Sequence, residues 1–176
     1  MRLTATSYIV LGLLARAGGQ ATPYALKQMA ATSVGNFWTV QHAQLYTEPE
    51  RLADAGLVEE ERETGGRRRR RYTITAAGRA ALDAWREAPV ADRGELRDPG
   101  LLRLFFGADP EALGVAQVAL HQAKLDEYES LHARAGQGLP SGERLALEAG
   151  IAHEREWVSF WRRLADGVQP CAGSSD

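Results

Sequence analysis

Apolar and polar positions alternate along the chain with two different periods. From Thr4 or Thr6, either of which can cap a helix, an apolar segment runs through Tyr8, Ile9, Leu11, Leu13 and Leu14 until Gly18-Gly19 stops it. Thr22-Pro23, a cap followed by a first-turn proline, opens a second helix through Tyr24, Leu26 and Met29 that ends near Ser33-Val34-Gly35-Asn36. Leu45, Pro49 and Leu52 recur at i, i+4 and i+7 and predict a third helix from near Thr39 to Ala55-Gly56, kinked or cut short where Pro49 removes a backbone donor. The period then shortens to two. Leu57 to Glu63, a turn at Thr64-Gly65-Gly66 and a return over Arg67–Thr73 read as a hairpin with Tyr72 and Ile74 on one face and Arg67, Arg69, Arg71 and Thr73 on the other. Thr75 caps a fourth helix over 76–86, with Leu82 and Trp85 turned inward.

Pro89, Pro99 and five charged residues between them mark a linker over 88–99. Beyond it Leu101–Phe106 is a short apolar segment. Asp109-Pro110 starts a long helix to about Ala135, and Gly136, Gly138 and Pro140 end it. A final helix from Ser141 to about Asp166 carries Leu147, Ile151, Glu154, Val158, Trp161 and Ala165 at spacings 4,3,4,3,4, a heptad seam with one acidic interruption. The order of elements predicts a mainly α fold with a small β-hairpin wing: a winged helix-turn-helix domain at 1–87, the linker, a helical dimerisation and candidate effector domain at 100–168, and a flexible tail at 169–176.

Charge sharpens this picture. Over 176 residues the net charge is −2, which alone argues against a nucleic-acid binder, but residues 1–87 hold 12 basic against 9 acidic residues and residues 88–176 hold 9 against 14. The halves therefore carry +3 and −5. Five consecutive arginines, Arg67 to Arg71, repel one another and imply a counter-charge. Glu59–Glu63 across the hairpin can supply part of it. DNA phosphates or a narrow minor groove supply the rest, with Arg67, Arg69 and Arg71 reaching out.

In a helix-turn-helix the second helix of the pair enters the major groove, here the third of the chain. Its outward positions include Gln44, Tyr46, Thr47 and Arg51, with Gln41 and His42 on the flanks. Gln44 and Thr47 suit base edges, Tyr46 and Arg51 phosphates; the plainer alternative is a solvated polar face. The C-terminal seam residues Leu147, Ile151, Val158 and Trp161 are expected to pair with a second chain, the alternative being that all of them form intramolecular core. His121, Tyr128, His132 and Trp157 are candidates for an effector pocket between helices.

Catalytic and metal patterns are scarce. Glu129-x-x-His132 is half of a di-iron motif without its second half, and no H-E-x-x-H, G-x-S-x-G, P-loop or G-x-G-x-x-G occurs, so no enzyme, metal or cofactor is implied. One cysteine, Cys171, permits no internal disulfide, and no early apolar run is long enough to cross a bilayer, which together point to the cytoplasm.

Specific stretches carry a family likeness: Thr6-Ser7-Tyr8-Ile9-Val10-Leu11-Gly12-Leu13-Leu14, Thr22-Pro23-Tyr24, Gln44-Leu45-Tyr46, Arg51-Leu52-Ala53-Asp54-Ala55-Gly56-Leu57-Val58 and Arg69-Arg70-Arg71-Tyr72-Thr73-Ile74-Thr75-Ala76-Ala77-Gly78. With these the chain resembles the PadR family of bacterial winged helix-turn-helix regulators, in its larger subtype. The resemblance implies a nucleoid-bound homodimer on a palindromic operator, usually a repressor, dimerised by its C-terminal helices and sometimes sensing a small, often aromatic, ligand. One departure stands out: relatives commonly have Tyr-Pro and then leucine where this chain has Tyr46-Thr47-Glu48-Pro49, which shifts the proline two positions. Two other functions fit the pattern, a winged-helix module whose arginines bind an acidic protein and a small-molecule sensor without DNA output.

Overall fold

Caps written into the sequence set most helix starts. Thr4 accepts a hydrogen bond from the Ser7 amide while Ser7 Oγ accepts one from the Thr4 amide, a reciprocal pair that opens α1 (Ala5–Arg16). Thr22 and Pro23 open α2 (Pro23–Ala31), Thr75 opens α4 (Ala76–Glu87), and Asp109 with Pro110 opens α6 (Pro110–Ala135). The computed structural model describes residues 2–62, 70–90, 94 and 96–167. The expected turn at Thr64-Gly66, the wing residues Arg67 and Arg69, and the tail at 169–176 lie outside the described residues.

The first compact unit, residues 1–92, packs α1, α2, α3 (Gln44–Asp54) and α4 against a three-stranded sheet. Strand β3 (Arg70–Ile74) is central, antiparallel to β2 (Val58–Arg62) on one side and to β1 (Gln20–Ala21) on the other. The two-residue β1 has no sequence signature, since its pairing with residues 72–73 is entirely long-range. The alternation in β3 puts Tyr72 and Ile74 in a core shared with Val10, Leu11, Leu14, Leu26, Leu45 and Leu52. Thr75 Oγ1 donates to the Gly56 carbonyl as it caps α4, and a Cβ at position 78 would collide with the Leu57 carbonyl oxygen. Glycine at 78 thus lets the first turn of α4 sit against the strand entry.

Three expectations change in this unit. Helix α3 starts at Gln44 instead of near Thr39: no side chain caps it, and its first amides are taken by tight turns, Gln44 N to Gln41 O at 2.9 Å and Leu45 N to His42 O at 3.2 Å. Pro49 does not end α3, which runs on to Asp54 with Pro49 buried; so near the start of the helix the proline forfeits one bond, to the Leu45 carbonyl. Trp85 is half exposed instead of inward, its ring stacked on Tyr8 at 4.8 Å.

The second unit, residues 93–176, consists of α5 (Pro99–Phe105), α6 and α7 (Ser141–Ala165). Leu113 packs with Trp161 and Leu164, while Leu125 and Tyr128 pack with Ile151 and Val158, so rising numbers on α6 meet falling numbers on α7 and the pair is antiparallel. Gly114 lets the helices approach closely: a Cβ there would lie 2.6 Å from the Ala165 nitrogen and 2.8 Å from the Trp161 carbonyl oxygen. No helix among the described residues is long and apolar enough to cross a membrane.

Candidate nucleic-acid interface

Helix α3 buries Leu45, Glu48, Pro49 and Leu52, and this leaves Gln44, Tyr46 and Thr47 on its exposed side. Gln41 and His42 are also exposed, but in the turn that leads into α3. Gln44 Oε1 accepts from Thr6 Oγ1 at 3.4 Å, a contact that orients the amide from the first turn of α1. Thr47 Oγ1 donates back to the Ala43 carbonyl, so its methyl group is the part left to face outward.

Arg51 does not stand free as the phosphate anchor the sequence suggests. Its Nε donates to Glu48 Oε2 at 2.9 Å and its Nη2 to Glu48 Oε1 at 2.5 Å, a two-pronged pair. Nη2 also reaches Ser7 Oγ at 2.8 Å and Nη1 the Arg2 carbonyl at 3.3 Å. Ser7 Oγ donates to Glu48 Oε1 at 2.6 Å. Burial pushes the Glu48 carboxyl pKa up, but the hydrogen bonds from Arg51 and Ser7 and the nearby guanidinium charge outweigh it and hold it below its ordinary value of 4.5. Glu48 and Ser7 are the residues the sequence reading missed. Glu48 falls at i+3 from Leu45 and i−4 from Leu52, a spacing that marks the inward face.

At the wing, Arg71 is exposed, opposite Glu61 in the register. Arg70 pairs with Glu50 of α3 and lies 3.5 Å from Glu60, which also accepts from Arg62 at 2.6 Å. The wing base is therefore tied by charge to the helix beside it, and part of the counter-charge for the arginine run comes from within the chain. Arg67 and Arg69 fall outside the described residues.

In the second unit the expected pairing seam closes on itself. Trp161 is wholly buried, Ile151 and Val158 nearly so, and Leu147 packs against the same cluster, all within one chain. These four residues build the α6–α7 core; a second chain cannot reach Trp161. The four effector candidates are spread along the helix pair. His121 lies 2.6 Å from Glu154 and its ring stacks on Trp157 at 5.8 Å, whereas Tyr128 is buried in the helix pair and His132 faces Glu148 at 3.6 Å. Eleven residues of helix put His121 and His132 about 16 Å apart. Two open grooves follow α6 and α7. One of about 380 Å³ is lined by Gln122, Arg155, Arg162 and Arg163 among others, and one of about 500 Å³ by Glu129, His132, Glu148 and Arg155 among others.

Known proteins share this arrangement over both units. The model of the transcriptional regulator PadR-like family matches residues 10–84, and that of the virulence activator alpha C-terminal region matches residues 96–167. The negative transcriptional regulator PadR of Bacillus subtilis (strain 168) is 28% identical over 170 residues, covering 87% of this chain and 91% of its own. A crystal structure of Bacillus subtilis PadR with operator DNA superposes with a TM-score of 0.83 at 21% identity, covering 96% of this chain and all of that one. The structure of the same protein with p-coumaric acid gives 0.74 at 20% identity over 97% of this chain and all of that one. The reader fold, the helical second unit and these likenesses agree, and over residues 10–84 the chain is similar to the PadR-like family of transcriptional regulators.

Proposed function

We propose that this chain is a cytoplasmic, DNA-binding repressor that acts as a homodimer on a palindromic operator and is released by a small aromatic molecule. The observation that carries the reading is the exposed face of α3, with Gln44, Tyr46 and Thr47 outward beside a wing that presents Arg71. Gln44 pairs with adenine, the Thr47 methyl touches thymine, and Tyr46 and Arg71 meet phosphates. The relative named a negative regulator supports the repressor role, and the relatives solved with operator DNA and with p-coumaric acid support DNA and a small aromatic acid as ligands.

With the α7 seam internal, the dimer surface falls on the outward side of the second unit. Leu102, Phe105 and Phe106 are exposed at α5, and Val115, Ala116, Ala119 and Leu120 form an exposed stripe at i, i+1, i+4 and i+5 on α6. So much uncovered apolar surface on one small unit fits a second copy.

A gel shift with DNA upstream of the protein's own gene tests the function. Retardation of that fragment at salt concentrations where unrelated DNA is released is the expected result. Arg71→Ala weakens binding to all DNA alike, while Gln44→Ala alters base preference at one position in each half-site. Release of the upstream fragment at the same low salt as unrelated DNA would instead favour a protein-binding module.

A further inference from the structure

The first turn of α1 and the residues just before it hold α3 by three residues of one face. Gln44, Glu48 and Arg51 follow one another at i, i+4 and i+7, and they contact Thr6, Ser7 and the Arg2 carbonyl. Ser7 Oγ uses its whole capacity in this corner: it donates to Glu48 and accepts from Arg51 Nη2 and from the Thr4 amide. An apolar contact at this place would let α3 roll or slide by a fraction of an ångström without loss. A two-pronged carboxylate–guanidinium pair does not, since its hydrogen bonds are directional and a displaced partner would leave a buried charge unmatched. Tyr46 and Thr47 lie on the same rigid helix, between Gln44 and Glu48 in sequence, so the rotation this face fixes sets where those side chains stand.

We infer that Glu48 is a positioning residue for operator readout, which with Ser7 and Arg51 fixes the rotation of α3 against α1 without itself touching DNA. Arg51 accordingly serves as the second half of the clamp and not as a phosphate ligand. The inference rests on the reading that α3 enters the major groove, and it goes beyond that reading by separating the residues that touch DNA from those that aim them.

The test compares the full-length wild type with Glu48→Gln, Glu48→Asp and Arg51→Gln. The ratio of affinities for the operator and for unrelated DNA, the slope of log K against log salt and the thermal midpoint are measured for each. Glu48→Gln is expected to lower the ratio by about tenfold, the weight of one misread base pair, while binding to unrelated DNA is kept. Its salt slope steepens by up to about 0.9 as the unclamped Arg51 finds a phosphate. Glu48→Asp, which keeps the charge at shorter reach, restores part of the ratio. Where Glu48→Gln does not fold, Arg51→Gln carries the same test: a lower ratio with an unchanged slope supports the positioning role. A uniform loss on all DNA with a slope shallower by about 0.9 makes Arg51 a phosphate ligand and overturns it. A wild-type ratio and slope in Glu48→Gln overturns it as well. A wild-type protein that does not tell operator from unrelated DNA overturns the groove reading and the inference together, so the two failures are distinguishable.

Discussion

The carboxylate of Glu48 is kept ionised against burial by Arg51 and Ser7, which ties the stability of the reader to pH. Because its folded pKa lies below the ordinary 4.5, the unfolded chain binds the proton more readily, and the clamp stabilises the fold fully at pH values above 4.5. That contribution drains away as pH falls from 4.5 through the folded value. Other carboxylates titrate in the same range, so the informative quantity is a difference. The gap in thermal midpoint between wild type and Glu48→Gln should be constant from pH 7 to about 5 and close below 4.5; a gap that widens on acidification contradicts the assignment. Nothing in the local sequence announced this residue as a clamp. Glu48 sits between Thr47 and Pro49, and its partner Ser7 is 41 positions away, so only the three-four spacing to Leu45 and Leu52 hinted that it turns inward. Tyr46, Thr47 and Gln44 were legible because solvent exposure on a helix follows from rotation about its own axis alone.

Elements were legible where a cap or a strict period fixed them locally. Thr22-Pro23, Thr75 and Asp109-Pro110 start helices as their chemistry requires, and the two-residue period of β3 puts Tyr72 and Ile74 inside. The start of α3 was misjudged because its first amides bond to the turn at residues 41–43 instead of to a capping side chain. On α7 the seam periodicity marks a face that packs, and within the chain α6 buries most of it: periodicity says that a face is buried, not which helix buries it. Gly114 shows how tightly α6 fills that role. Gly114→Ala places a methyl group against backbone atoms of Trp161 and Ala165, which cannot step aside without moving α7. Overpacking of this kind costs about 1–3 kcal/mol, more than the gain of about 1 kcal/mol from replacing a helical glycine. Gly142→Ala, where nothing lies within 4 Å of the added atom, keeps the propensity gain and stabilises by about 0.5 kcal/mol. Denaturant midpoints of opposite sign for the two variants are expected; a stabilised Gly114→Ala would show that the helices are not in contact there.

For the whole molecule, charge and apolar surface divide the labour between the units. The basic excess lies in residues 1–87 and the acidic excess in 88–176, so the second half gains nothing from DNA and must contribute in another way. Its α6–α7 pair already satisfies itself within one chain, yet Phe105 and Phe106 remain 83% and 76% exposed. A single winged helix covers one half-site, and joining two multiplies affinity through the raised effective concentration of the second reader. On the proposed function, dimerisation through α5 and the outer stripe of α6 is coupled to DNA binding, and one substitution should break both. Phe105→Asp alters no contact of the α6–α7 core, so the isolated chain keeps its helical content. The charge would be costly to bury between two copies, so sedimentation should shift from dimer to monomer, and operator affinity should fall by about a hundredfold, within the usual range of avidity. Val158→Asp, by contrast, should unfold the second unit outright, because that side chain lies between α6 and α7. A Phe105→Asp variant that still sediments as a dimer would place the pairing surface elsewhere on the second unit. A monomer that still binds the whole operator at full strength would remove the dimer from the mechanism altogether.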